Sequence, residues 1–132
     1  SDLVLVNARL APDMLPLAGQ VQRMSDTAKG AAARLTGTEA PSFADDETTL
    51  ADLRARIEKT TAYLASVPEA AFEGAAERTV VLKTRGGETS SSGKEYLLTF
   101  VLPNFYFHLT TAYAILRHNG VAVGKLDFLG RT

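Results

Sequence analysis

The chain has 132 residues, 45% of them hydrophobic and 22% charged, which predicts a single globular domain over residues 1–132. It contains no cysteine and two histidines, so a disulfide scaffold, a zinc finger and an iron–sulfur site are excluded. The formal net charge of −1 gives no basic excess for binding nucleic acid or an anionic membrane. The apolar runs are too short to cross a bilayer, and the lack of cysteine fits a reducing compartment, so a cytoplasmic location is expected.

Apolar residues spaced three and four apart predict a first long amphipathic helix that ends before Gly37. Pro12 suits its first turn, where a missing N–H is harmless, and Pro16 is expected to make the start irregular. The stripe comprises Met14, Leu17, Val21, Met24, Ala28, Ala31 and Leu35. We interpret it as bundle core, with a coiled-coil interface as the alternative.

A second helix is predicted to begin after Thr48 or Thr49, with Asp52 completing a capping box, and to end at Pro68. Its apolar stripe comprises Leu50, Leu53, Ile57, Leu64 and Val67, with Thr60 in one core position. The preceding connection, residues 38–47, is polar. Its acidic run, Asp45 to Glu47, is interpreted as a solvated helix start stabilised by the helix dipole.

A small β-hairpin is predicted next, because residues 79–82 are β-branched and apolar, Gly86-Gly87 favours a turn, and residues 88–92 are polar. The last long helix is predicted over residues 94–119, after a capping pattern at Ser92 and Glu95. Pro103 is expected to kink it. Its inner stripe is Leu97, Val101, Asn104 with Phe105, His108, Ala112 and Ile115. In the aperiodic tail, residues 121–132, Phe128 and Leu129 are expected to fold back on the bundle.

His108 is the main candidate for chemistry, because it lies on the apolar face of the last helix with Asn104 one turn earlier. Two polar groups that face a core need hydrogen-bond partners or a water-filled cavity. The functional interpretation is a small internal polar pocket in which His108 is a ligand or a catalytic base. The structural interpretation is a buried histidine with one or two hydrogen bonds, and both stay open.

Asp13 and Gln20 are seven residues apart, share a face of the first helix and are candidate ligand-binding residues. Tyr106 and Tyr113 are further candidates, because aromatic side chains suit the lining of a small-molecule pocket. Together with Asn104 and His108, the first two would form a mixed oxygen and nitrogen site. Such a site would hold a transition metal weakly but suits a polar small-molecule ligand.

Several stretches across the chain carry a family resemblance. They are residues 9–14 (RLAPDM), 16–17 (PL), 20–21 (QV), 26–35 (DTAKGAAARL), 103–108 (PNFYFH), 113–120 (YAILRHNG) and 127–130 (DFLG). They resemble an uncharacterised bacterial domain-of-unknown-function family, which is similar to the DinB/YfiT-like superfamily of helical bundles. The resemblance implies an all-α, up-down, DinB-like four-helix bundle whose first helix is short or absent, with a small β-hairpin before the last helix.

In that superfamily many members bind a divalent metal through three histidines, one on the second helix and an H-x-x-x-H pair on the last. The resemblance places His108 on the second histidine of the pair, Asn104 on the first, and Gln20 near the third. It therefore implies a weak or lost site for zinc or nickel. The function it implies is a DinB-like bundle of unknown function. The alternatives are a metal-dependent enzyme of thiol transferase or hydrolase type, and a non-catalytic partner-binding or structural bundle.

Family members carry a long helix before the position of Arg9, so three long helices would leave one apolar side of the bundle open. Three explanations stay open: a homodimer, an N-terminal helix that precedes this sequence, or a shortened variant. Of the partners, a homodimer and a small-molecule ligand are expected, without nucleic acid or membrane.

Overall fold

The computed structural model describes residues 1–131. The chain is mostly helical with one two-stranded antiparallel hairpin, as the sequence predicts. The helices are α1 (Asp2–Val6), α2 (Leu17–Thr36), α3 (Leu50–Ser66), α4 (Gly93–Tyr96), α5 (Leu102–His118) and α6 (Lys125–Phe128), and the strands are β1 (Thr79–Thr84) and β2 (Gly87–Ser92). A 3-10 turn covers Glu69–Phe72, and a π-helical turn covers Leu97–Val101.

Helix α2 begins at Leu17, so the prediction of a helix start at Pro12 was wrong. The chain before it forms a closed loop, because the Leu17 N–H donates to the Ala8 carbonyl oxygen at 2.9 Å. Pro16, which has no N–H, occupies the N-cap. Asp13 and Met14 therefore lie in the loop and not on the helix. At the other end Gly37 has a φ of 69°, a left-handed conformation that favours glycine, as predicted.

Helix α3 has the predicted capping box of Thr49 and Asp52, but its buried face differs from the predicted stripe. Its buried residues are Leu53, Arg56 and Thr60. Ile57 and Leu64 are 40% and 37% exposed. The reason is that α3 packs chiefly against α2, so the side of α3 that carries these apolar residues has no helix over it.

The connection before α3 is not the solvated helix start that its acidic run predicted. Asp45 and Glu47 both accept hydrogen bonds from the guanidinium of Arg56, at 2.9 and 2.8 Å. The Glu47 side chain is 5% exposed. This segment is therefore attached to α3 by ion pairs.

The hairpin has the predicted place and pairs Thr79 with Ser92 at its base and Thr84 with Gly87 at its turn. Val80 is buried in a cluster with Leu35 and Tyr96, which anchors the hairpin to the helices. Gly93 follows, where a Cβ atom would lie 1.8 Å from the Ala75 carbonyl oxygen. Only glycine permits this close approach of two backbone segments.

The last long helix runs without a gap from Gly93 to His118, close to the predicted bounds, and it contains a π-helical turn that was not predicted from the sequence. It consists of α4, the π-helical turn and α5, and Pro103 lies in the first turn of α5. The Glu95 N–H donates to the Ser92 hydroxyl at 3.1 Å, as the capping pattern predicts. Because Pro103 has no N–H to donate to the preceding turn, the π-helical turn directly before it fits the missing hydrogen bond.

The tail partly follows its prediction. Phe128 packs edge-on against Tyr113 with ring centroids 5.9 Å apart, whereas Leu129 is exposed and Thr132 lies outside the described residues. The main core comprises Val6, Leu17, Val21, Leu53, Ala112 and Ile115. Over residues 1–131, no helix combines the length and apolar character needed to cross a bilayer.

An apolar groove of about 530 Å³ runs along α2 between α3 and α5. We call it the apolar groove. Its lining includes Val21 and Met24 on α2, Leu53 and Ile57 on α3, Leu109 on α5, and Phe128.

Candidate functional site

Gln20 is the centre of a polar contact between α2 and α5. Its side chain is 1% exposed. Its amide nitrogen donates to the Leu15 carbonyl oxygen at 3.1 Å, and a carbonyl can only accept. This bond fixes the orientation of the amide, so its oxygen points toward α5.

His108 meets that oxygen, because its Nδ1 lies 2.7 Å from Gln20 Oε1. Since the amide oxygen must accept, Nδ1 carries the proton and Nε2 of the neutral ring is left with a lone pair. Burial lowers the pKa of His108, and the positive charge of Arg23 lowers it further. The arrangement therefore holds a neutral imidazole with a fixed tautomer, which is the form that acts as a base or ligand.

Asn104 makes a second polar contact between the same helices. Its amide nitrogen donates to the Thr27 hydroxyl at 2.8 Å, and that hydroxyl donates to the Arg23 carbonyl oxygen at 2.7 Å. Thr27 was not a sequence candidate, although its spacing of seven from Gln20 places it on the same face of α2. Asn104 and His108 are one turn apart on α5, so the two contacts form one polar strip.

The structure does not bring the other sequence candidates into this strip. Asp13 is exposed in the loop before α2, and over residues 1–131 no side-chain hydrogen bond or ion pair joins it to Gln20, Asn104 or His108. Tyr106 is 52% exposed. Tyr113 lines the apolar groove, on a different face of α5.

The polar strip and the apolar groove lie on opposite sides of the contact between α2 and α5. At roughly 100° per residue, Val21 and Ala28 lie about 100° and 80° from Gln20 around α2, whereas Arg23 lies about 60° from it in the other direction. Residues 21 and 28 line grooves on one side. Gln20 and His108 are not among the residues that line either groove.

Whether the polar strip could bind a divalent metal depends on the ligand atoms that its residues offer. Within residues 1–131 no group of three or more His, Cys, Asp or Glu side chains converges as a metal site would require. The Asn104 amide nitrogen donates to Thr27, and the Gln20 amide oxygen accepts from His108. Among these groups, Nε2 of His108 is therefore the one nitrogen left that could bind a metal. These residues do not fit a three-ligand zinc or nickel site.

Arg56 is a buried residue that sequence reasoning missed. Its side chain is 0% exposed and its guanidinium contacts Asp26, Asp45 and Glu47, with Nε donating to the Ser25 hydroxyl. Burial raises the pKa of Glu47, but hydrogen bonds from Arg56, the backbone and Gln22 outweigh it, so that pKa lies below its ordinary value. No local signal reveals this cluster, because its members come from three separate segments.

Comparisons with known proteins identify the family and the fold of this chain. The family DUF1993, described as a domain of unknown function, matches residues 1–129. A crystal structure of a DinB family member protein from Shewanella denitrificans is similar, with 49% sequence identity and a TM-score of 0.90. The match covers 98% of this chain and 73% of that chain. No functionally curated protein matches. The resemblance predicted from the sequence is confirmed: the chain belongs to the domain-of-unknown-function family DUF1993 and has a DinB-like fold.

Proposed function

We propose that this chain is a single DinB-like bundle domain that binds a small polar ligand beside His108, with the neutral imidazole as hydrogen-bond acceptor or general base. The observation that carries the proposal is the contact of His108 with Gln20. A core amide held by the Leu15 carbonyl selects one tautomer and leaves Nε2 free for a ligand.

In terms of fold, we propose that α2, α3 and α5 are three helices of an up-down four-helix bundle and that the apolar groove is the fourth position. The DinB family neighbour supports this assignment. Under this assignment, Gln20, Asn104 and His108 occupy the positions of the superfamily's metal ligands and form the polar strip where other members have a metal site.

The ligand proposal is tested by screening polar small molecules against the histidine side-chain NMR signals. The chain has two histidines, and His118, in the last turn of α5, is the internal control. We expect binders that shift the His108 signals and leave His118 unchanged, and that lose affinity in His108→Ala. Binders that are indifferent to His108→Ala, or a screen without any binder, would contradict the proposal.

A second function, self-association through the apolar groove, is favoured by the exposed apolar wall of α3. We propose a second copy of this chain as the occupant. The rim carries both signs of charge, with Arg54 paired to Glu58 on α3 and Asp127 on the other wall, so the same surface on another copy is electrostatically compatible.

Sedimentation velocity over a range of concentrations tests this dimer. We expect association that Ile57→Asp abolishes, because Ile57 lines the groove and is partly exposed, which allows the variant to fold. Val81→Asp is the matched control, since Val81 is 45% exposed on the hairpin. A clean monomer at micromolar concentration, or equal effects of the two variants, would rule the dimer out.

A further inference from the structure

A row of residues on α2 extends the polar strip along the side of the helix that borders α4 and α5. Arg23, Thr27, Gly30 and Arg34 are spaced four, three and four apart, so they fall within about 60° of one another around the helix. Gln20 lies at the edge of the same face. The row therefore continues from the His108 contact toward the C-terminal end of α2.

Gly30 has a specific role in this row. Glycine inside a helix is unfavourable, yet a Cβ atom here would lie 2.4 Å from Nη1 of Arg34. The Arg34 side chain thus lies back over the helix at the level of Gly30. Its Nη1 donates to the hydroxyl of the buried residue Tyr96 at 3.0 Å, which holds the guanidinium there.

The two arginines of the row have no acidic partner. Among residues 1–131, none of the ion pairs includes Arg23 or Arg34. The acid on α2, Asp26, lies about 60° from Arg23 around the helix, and its Oδ1 pairs with Arg56 and Lys29. Arg23 and Arg34 thus place two cationic side chains on this face of α2, and over residues 1–131 neither forms an ion pair.

One small ligand can contact both arginines if the long Arg23 side chain extends along α2 toward Thr27, since about 10.5 Å of helix axis separates Arg23 from the Arg34 guanidinium. The Arg34 guanidinium lies at the level of Gly30, about 4.5 Å along the axis from Thr27, and Thr27 is about 6 Å from Arg23 at 1.5 Å per residue. Thr27 also carries the hydrogen bond to Asn104, so α5 borders the same surface. Both arginines are exposed and retain N–H donors for a ligand.

We propose that this arginine row binds a small anion through a carboxylate or phosphate group, with Arg23 and Arg34 as its two cationic contacts. Planar guanidinium groups bind both anions by paired N–H donors. The inference deepens the proposed function, on which it rests, because it gives the charge class of the ligand that binds beside His108. Gly30 is then a positioning residue, since it leaves room for the Arg34 guanidinium.

The test is isothermal titration calorimetry at low ionic strength with two probes, inorganic phosphate and succinate, and with sodium chloride of equal ionic strength as the blank. We expect saturable binding of at least one probe, with the backbone amide NMR signals of residues 23–34 shifting together. Arg23→Gln and Arg34→Gln should each weaken binding about tenfold or more, as expected for a lost charge-assisted hydrogen bond. Which probe binds distinguishes a phosphate ligand from a carboxylate ligand.

Two further variants separate a built site from general charge attraction. Arg54→Gln removes an exposed arginine on α3 beside the apolar groove, and we expect unchanged binding. Gly30→Ala keeps every charge but moves the Arg34 guanidinium, and it should weaken binding by less than Arg34→Gln does. Equal losses in Arg54→Gln and Arg34→Gln, or unaltered affinity in Gly30→Ala, would overturn the proposal.

The absence of saturable binding of both probes would also overturn it. The proposed function is tested separately, since its screen of polar small molecules includes neutral ones and is read at the His108 signals. If those molecules bind at His108 while phosphate and succinate do not, the ligand site stands and the anion inference falls. If phosphate or succinate binds while the screen finds no molecule that binds at His108, the anion site stands and the ligand site beside His108 falls.

Discussion

Replacement of Arg56 by methionine is expected to destabilise the protein strongly, even though methionine is apolar and of similar size. The Arg56 side chain is 0% exposed and Glu47 is 5% exposed, whereas Asp26 and Asp45 are 41% and 55% exposed. The two exposed carboxylates can regain water when Arg56 is removed. Glu47 cannot, and its remaining side-chain partner is Gln22 at 3.0 Å.

The magnitude follows from this difference in exposure. Loss of one partner of a buried ion pair costs about 3–5 kcal/mol, and the two exposed pairs add little. We take about 3 kcal/mol, because Gln22 still compensates part of the Glu47 charge. With a urea m-value of about 1.5–2 kcal/mol/M, the denaturation midpoint should fall by about 1.5–2 M.

Equilibrium urea denaturation followed by circular dichroism measures this change. The matched control is Arg54→Met, two residues away, where an exposed arginine pairs with Glu58 at 3.1 Å and the loss should be below about 0.5 kcal/mol. Adding Glu47→Gln to Arg56→Met should recover stability, because it removes the buried unpaired charge. A loss below about 1 kcal/mol, or a double variant no more stable than the single one, would refute the reasoning.

Three other predictions concern separate parts of the molecule. The folded-state pKa of Glu47 lies below its ordinary value of 4.5. The contribution of Glu47 to stability is therefore complete above that value and is lost as the pH falls through the folded-state pKa. The melting temperature of Glu47→Gln should accordingly depend less on pH in that range than the melting temperature of the unaltered protein. Gly93→Ala should lose about 1–3 kcal/mol in urea denaturation because its Cβ atom would meet a backbone oxygen, whereas Gly86→Ala, whose nearest contact is 3.8 Å away, should be nearly neutral. Calorimetric titration with zinc should give weak binding, since the strip offers one free imidazole nitrogen, and tight binding that His108→Ala abolishes would contradict this account of the donor set.

The elements that the sequence predicts correctly are those with local signals. The capping box of Thr49 and Asp52, the left-handed Gly37 and the turn at Gly87 each depend on a few neighbouring residues. The start of α2 was mispredicted because it depends on a bond between Leu17 and Ala8, which no local pattern reveals. The buried face of α3 was mispredicted because periodicity identifies an apolar stripe but not whether another helix covers it.

The candidate site was predictable where helix spacing and family resemblance coincide. Gln20 and His108 come together as expected, and Asn104 lies one turn away with a different partner. Asp13 was assigned to a helix that begins later, so its placement was wrong. Arg34 was not considered, because its position depends on the way its side chain folds back over Gly30.

The buried polar contacts of Arg56 also determine how α3 is aligned along α2. The apolar positions of the two helices recur every three or four residues, so a slide by one turn, about 5.4 Å, would bring similar side chains together again. The contacts of Arg56 with Ser25 and Asp26 on α2 do not recur, and such a slide would break both of them while the arginine stays buried. We therefore expect the arginine to exclude shifted packings that the hydrophobic contacts alone would tolerate, so that the walls of the apolar groove have one alignment.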